Sequence, residues 1–277
     1  MHTKIGMALT VTALAAAALA IPATATQAAP APSHPTQVAK PAWHVTMTAS
    51  RTQLNVGQNV WLKGHVNHAA AGGKVVLQQQ WGPGKPWVVT GKAVVKSDGT
   101  YKVGDSPTIN HWRYYRVVVP GNDGWARGVS PTAKVVVYKW IPLVSLTSLN
   151  AKGFTPMASV NINGTPYPAS LRGTPVAATS TTPAVPVSVE YNLDHKAIAI
   201  RATFGLSDDS ATGAQGGIRL AVDSSTMYTG TFTIGESTSW RMAFPTAPFR
   251  LHLEGSSLTS GLDTFPAIGS PQVLYTQ

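Results

Sequence analysis

The chain has 277 residues, 21 Lys plus Arg against 11 Asp plus Glu for a net charge of +10, and no cysteine. The length accommodates two domains, each able to bury its own core. The missing cysteine excludes disulfides, thiol nucleophiles and thiolate metal sites, so the fold must rest on hydrophobic packing.

Residues 1–4 form a short basic start, residues 5–21 are almost wholly apolar, and Ala23-Thr24-Ala25 is a small-x-small cleavage site. This layout predicts a secretory signal peptide over residues 1–25 and a secreted, extracellular or cell-wall-associated protein. No second long apolar run follows, so no membrane span is expected after cleavage. Residues 26–43 are rich in Ala and Pro, lack periodicity and read as an extended spacer.

Residues 44–139 alternate short Val, Ile, Thr and Tyr runs with turn-forming clusters. Strands are expected at 45–49, 59–66, 74–80, 87–95, 101–103, 114–119 and 133–138, a count that fits an immunoglobulin-like β-sandwich. Ser97-Asp98-Gly99-Thr100 supplies a hairpin turn, because Asp-Gly accepts positive φ. Period 2 places Val60, Leu62 and Val66 on one face and Trp61, Lys63 and His65 on the other; Tyr115, Val117 and Val119 turn inward, Tyr114 and Arg116 outward. Trp81 and Trp125 sit in Gly-rich loops where exposure is expected, and Trp87 and Trp112 read as core or rim aromatics. All the excess positive charge lies in this half. Thirteen basic residues up to Tyr138 face Asp98, Asp105 and Asp123, whereas residues 139–277 hold eight of each sign. For an exported protein the matching partner is an anionic surface, a cell wall, acidic polysaccharide or lipid face. Nucleic acid is disfavoured, since no basic helix or recognised binding fold accompanies the charge.

Residues 140–277 continue the all-β pattern. Asn163-Gly164 marks a two-residue turn, and strands are expected at 187–193, 197–204, 217–223, 227–234, 239–244, 249–254 and 272–275. Ile198, Ile200, Ala202 and Phe204 form one inward set; Ile218, Leu220 and Val222 a second; Leu251 and Leu253 a third. About eight antiparallel strands without helices predict a jelly-roll β-sandwich. The Thr/Pro/Ala-rich loop 174–186 is long for a compact domain. Trp240 begins an alternating strand and reads as core or edge packing.

Two resemblances sharpen this reading. TASRTQLNVGQNVWLKGHV, GGKVVLQQQWG, SDGTYKV and YYRVVVPG resemble the Ig-like domains of actinobacterial secreted proteins. NINGTPYPASL, VEYNL, ATFGLSDDS, IRLAVDSSTMYTG, TFTIGES, FRLHLEG and GSPQVLY, in that order, resemble the NPCBM family of secreted bacterial carbohydrate-binding modules. The second resemblance implies a loop-built sugar site at one end of the sandwich, with calcium nearby in some members. Carried over residue by residue, it points to Tyr167 and Arg172 in the first loop segment, Asp208 and Asp209 after the FGL strand, and Asp223 at a turn. Asp208 and Asp209 are the calcium candidates, the only cofactor implied. The chain departs from the family at Leu171-Arg172-Gly173-Thr174-Pro175, at Ser224 where a turn glycine is expected, and at Leu262-Asp263-Thr264-Phe265-Pro266. Asp208-Asp209 also reads as a solvated turn among Ser207, Ser210 and Gly213.

Catalytic patterns are weak. Asp194-His195 has no nucleophile context. His65-x-x-His68 lacks a third ligand and places its two residues on opposite strand faces. A glycosidase needs two convergent carboxylates, which nothing in the sequence supplies. The expectation is therefore a secreted, non-enzymatic carbohydrate-binding protein whose partners are a glycan or cell-wall polysaccharide and an anionic surface. The alternative is a structural or protein-interaction sandwich that has lost its sugar site.

Overall fold

The computed structural model describes residues 39–67, 72–175, 179 and 184–277. The expected signal peptide, most of the spacer, His68 and much of the 174–186 loop lie outside them. The described residues form 19 strands and a single 3₁₀ turn, Leu143–Ser145.

The first nine strands are β1 (Thr48–Ala49), β2 (Gln53–Asn55), β3 (Val60–His65), β4 (Lys74–Gln80), β5 (Val88–Val94), β6 (Thr100–Asp105), β7 (Arg113–Val119), β8 (Gly128–Val129) and β9 (Ala133–Pro142). They make two sheets, β1–β3–β6 and β2–β9–β7–β4–β5, with β2 running parallel to β9 and β8 beside β7. This is the immunoglobulin-like order. Where immunoglobulin domains staple the sheets with a disulfide, Leu62, Leu77, Val117, Val135 and Tyr115 fill the core without solvent contact. The parity expected for β3 and β7 holds: Trp61, Lys63 and His65 face solvent, Tyr114 and Arg116 are half-buried and Tyr115 and Val117 are inside. Two short strands, β2 and β8, escaped sequence reading because too few residues alternate in them.

Two corrections concern tryptophans. Trp43, read as the end of the spacer, is buried in this core, and Ala42 bridges Ala126. Trp125, expected to be exposed, stacks on Trp43 with ring centroids 4.8 Å apart. Stacking buries two large rings at once, which a solvent-facing loop position would forgo. The sandwich therefore begins near Lys40, not at residue 44.

The remaining strands are β10 (Ser148–Lys152), β11 (Phe154–Ile162), β12 (Thr165–Gly173), β13 (Val187–Asn192), β14 (Ala197–Leu206), β15 (Gln215–Val222), β16 (Ser225–Thr233), β17 (Ser237–Ala243), β18 (Arg250–Ser257) and β19 (Pro266–Tyr275). Two sheets face each other: β10–β13–β18–β15–β16 and β11–β12–β19–β14–β17. From β12 to β19 the chain crosses between sheets at every step except the β15–β16 hairpin, the order that defines a jelly roll. Asn163 (φ 50) and Gly164 (φ 71) form the expected hairpin turn, both in the left-handed region that a type I′ turn requires. Phe204, Ile200, Leu206, Tyr191, Leu220, Ile218, Leu251 and Leu253 fill the core between the sheets.

Ile198 is a further correction. It was expected inside with Ile200, but it lies half-buried against Tyr138, Ala199 and Leu274 outside the main core. The β14–β19 register shifts between Ala197 and Ala199, and one extra residue inverts the parity behind it.

β9 joins the two sandwiches. Its first part pairs with β7 and β2, and its last four residues pair with β19, so an 11-stranded sheet runs through both. The boundary drawn at 139/140 falls inside this strand. Val135 and Val137 enter the first core, whereas Val136, Tyr138 and Trp140 meet Ile198, Ala199 and Leu274 on the opposite face. Residues 40–277 make one compact unit.

Candidate functional site

Of the five residues singled out by resemblance, Arg172 meets Asp209, and the five do not form one site. Tyr167 and Arg172 lie within β12, not in a loop. Asp208 and Asp209 follow β14, and Asp223 follows β15. Because β14 runs antiparallel to the β13 and β15 that flank it in sequence, these acids occupy opposite ends of the jelly roll. Asp223 accepts hydrogen bonds from the Phe249 and Arg250 amides at 3.0 and 2.8 Å. It pins the start of β18 to the β15–β16 turn, where Asp223 (φ 44) and Ser224 (φ 74) adopt the left-handed conformation that glycine would take more easily.

The calcium reading does not fit the donors. Asp208 accepts the Gly164 amide at 2.9 Å, closing the β11–β12 hairpin onto the end of β14. Asp209 pairs with the Arg172 guanidinium at 2.8 Å, and Arg172 also lies over the Phe265 ring. Calcium takes six to eight oxygen ligands, and a guanidinium already seated on Asp209 opposes a second cation there. Among the described residues no three His, Cys, Asp or Glu side chains gather in a cation-holding arrangement. Asp208 and Asp209 are thus hairpin and strand fasteners.

The other singled-out side chains are similarly engaged. Asp194 (φ 55) and His195 (φ 56) form the β13–β14 turn; Asp194 pairs with Lys196 at 2.9 Å, and the His195 ring hydrogen-bonds the Ala247 carbonyl. On the outer face of the β13–β18–β15 sheet, Glu190 and Glu254 flank His252, at 3.4 and 3.6 Å. Arg250 pairs with Glu190 and Arg219 with Glu254. Each of these side chains has an opposite charge, or with His252 a carboxylate, beside it.

The opposite sheet differs. Its outer face holds a concavity of about 400 Å³ bounded by Tyr167, Arg201, Thr203, Ser239, Arg241 and Gln272. A bulge makes it. Between Arg201 and Thr203 on β14, β19 advances by one extra residue, from Gln272 to Gly269, and Ser270 sits there at φ 43. Bulges re-aim side chains and bend the strand, and a non-glycine residue at positive φ stores strain that the surroundings must hold. Ala169 on β12 (φ 50) faces the same irregularity, held by the Ser170 hydroxyl, which accepts the Ser270 amide and donates to the Tyr167 carbonyl. Tyr167 lies over Gly269, where a Cβ would meet its ring at 2.6 Å, so glycine alone lets the ring rest on the sheet.

Trp240 turns the other way: it pairs with the buried Ala202, and its half-buried indole packs on the core side of the sheet against Phe204 and Tyr228, at 6.0 and 5.4 Å between centroids, as its reading as core or edge packing expects. Arg201 and Arg241 are cross-strand partners on β14 and β17. Both guanidiniums lie over the Trp140 ring of β9, at 4.5 and 5.3 Å, and Arg201 also donates twice to Gln272. The Thr203 and Ser239 hydroxyls hydrogen-bond each other at 3.0 Å. One aromatic wall, hydroxyls, an amide and two arginines line one hollow. Of these, sequence reading named only Tyr167 as a site residue; the others become visible once β14, β17 and β19 are in register.

No family model and no curated protein matches the chain in sequence. Among solved structures, a chain from "Structural basis of T cell specificity and activation by the bacterial superantigen toxic shock syndrome toxin-1" is 9% identical. That alignment covers 35% of this chain and 99% of that one, with a TM-score of 0.28. "Carbohydrate-Binding Module CBM36 in complex with calcium and xylotriose" is 12% identical over 48% of this chain and 97% of that one, with a TM-score of 0.27. Scores this low leave the fold assignment resting on strand order.

Proposed function

We propose that the protein is an exported, non-catalytic carbohydrate-binding protein, and that its jelly roll takes saccharide on the outer face of the β12–β19–β14–β17 sheet. The observation that carries this reading is the bulge-built hollow beside Tyr167. Sugars offer apolar C–H faces and a ring of hydroxyls, and sites for them combine aromatic planes with a few fixed polar groups. Tyr167, resting on Gly269, supplies the plane. Thr203, Ser239, Ser270 and Gln272 supply hydrogen-bonding groups on a rigid sheet, where positions are held better than on loops. The carboxylates of the jelly roll lie on the other sheet or at the ends, away from the hollow, which favours binding over hydrolysis. The basic immunoglobulin-like half adds long-range attraction to anionic wall polymers.

A second reading, a structural or protein-interaction sandwich associated with the cell wall, is favoured by the β5 edge. Val88, Val89 and Val94 are exposed there on a strand with only one partner. One retention experiment separates the two. The chain is passed over a panel of immobilised neutral and acidic polysaccharides, with free sugar as competitor. The binding reading expects competed retention that weakens by about tenfold or more in Tyr167→Ala. It expects no change in Asp208→Asn, Asp209→Asn or with chelator. No retention at any salt would favour the structural reading.

A further inference from the structure

The arginines of the jelly roll divide into those with a carboxylate partner and those without. Three of the five, Arg172, Arg219 and Arg250, pair with Asp209, Glu254 and Glu190. Arg201 and Arg241 pair with no carboxylate among the described residues, although this half of the chain contains as many acidic as basic residues. They also stand directly opposite each other across β14 and β17, the arrangement in which like charges destabilise a sheet. Stability alone would place an acid at one of the two positions, as it does at Arg219 and Glu254 on the other sheet.

The surroundings hold the pair in place. Trp140 offers one indole to both guanidiniums, and Gln272 takes two donors of Arg201 on its carbonyl oxygen. Such stacking orients a guanidinium without neutralising it, and leaves further N–H groups to the hollow. The five donors of each guanidinium match the oxygens of a carboxylate or phosphate in forked geometry. An aromatic-walled sugar hollow with two adjacent uncompensated guanidiniums on its rim has the chemistry of an acidic-sugar site.

Resting on the carbohydrate-binding reading, we propose that Arg201 and Arg241 form an anion-recognising pair that makes the jelly-roll site selective for saccharides bearing a carboxylate or phosphate. The charge selectivity then resides in the half of the chain whose net charge is zero, and the basic immunoglobulin-like half contributes only unspecific attraction. The two sources differ chemically: a uronic acid carries its carboxylate on the ring, whereas a polyol-phosphate polymer carries its charge in the backbone.

The test uses the whole chain and measures affinity, at about 0.15 M salt where long-range attraction is largely screened, for four probes: oligogalacturonate, its methyl ester, oligomeric glycerol phosphate and a neutral glucan oligomer. At least one acidic probe is expected to bind about tenfold or more tightly than its neutral counterpart. Arg201→Gln and Arg241→Gln should each reduce that ratio to about threefold or less, whereas Lys63→Gln in the first sandwich should leave it unchanged. Preference for the uronate over its ester identifies the carboxylate source; preference for glycerol phosphate identifies the phosphate source. Because the two arginines repel each other, both variants should melt at or above the temperature of the parent chain. Equal binding of acidic and neutral probes overturns the anion pair and leaves the sugar site standing. Binding to none of the probes overturns both. A lowered melting temperature with an unchanged ratio would assign the arginines a structural role and overturn the proposal.

Discussion

Asp223 holds the amides of Phe249 and Arg250, at the entry to β18, with one carboxylate, and Asp209 holds Arg172. Both were site candidates by resemblance, and both stabilise the fold directly. Asp223→Ala should lower unfolding stability by about 1–2 kcal/mol, the scale of losing charge-assisted hydrogen bonds at an exposed position. Urea titration measures this, and polysaccharide retention of the same variant should stay intact. Loss of retention at full stability would restore Asp223 as a ligand contact. Acidic turn residues look alike in sequence whether they bind amides or ligands, because the deciding partner, here Phe249 or Gly164, lies far along the chain. Arg201 shows the converse. Its outward position follows from alternation, but its lack of a counter-charge depends on which strand lies beside it.

At the scale of strands, alternation located most of the elements within two or three residues, and Asn163-Gly164 marked its hairpin correctly. Alternation says nothing about bulges, which arise from the register between two strands. The bulge near Ala197 moves Ile198 out of the core, and the one at Ser270 opens the hollow beside Tyr167. This gives a prediction from two neighbouring isoleucines. Ile200→Ala removes a fully buried side chain and should cost about 2–5 kcal/mol; Ile198→Ala, at the half-buried joint, should cost less than about 1.5 kcal/mol. Urea midpoints of the two variants decide it. Equal costs would place Ile198 in the core after all. β2 and β8 are too short to show alternation, and β10 is exposed along its whole length.

For the whole molecule, the all-β, two-sandwich architecture was legible because both halves repeat short β-branched runs between turn residues. The joint was not, since β9 reads as one strand ending near Tyr138 until its pairing with β19 is known. The pairing also makes one outer face continuous from Tyr114 and Lys134 to Trp140, Arg201 and Arg241. Lys134 lies over Trp112 and Arg116 over Trp87 on the same side. Attraction from these residues is long-range, so Lys134→Gln with Arg116→Gln should weaken retention on acidic polymer at low salt and have no effect by roughly 0.5 M salt. An equal loss at both salt levels would make them direct contacts.

Buried phenols set an alkaline limit on the same fold. Burial pushes Tyr191 from its ordinary 10.0 up to about 12. Tyr115 moves the same way, through burial and then its hydrogen bond to Asp105, and Tyr101 moves through burial alone. A neutral phenol held above its unfolded value contributes full stability below about pH 10, and that contribution is lost as pH rises through the folded value. Urea midpoints should therefore fall between about pH 10 and about pH 12, with tyrosinate absorbance rising as the protein unfolds. A midpoint that stays level over this range would show that these phenols titrate normally.

Amide hydrogen exchange of the chain with and without a retained polysaccharide tests the proposed place of the sugar site. Binding should slow exchange in β14, β17 and β19 around Arg201, Trp240 and Ser270, and leave the 207–213 loop and the Asp223 turn unchanged. Slowing confined to those end loops, with the sheet face untouched, would contradict it.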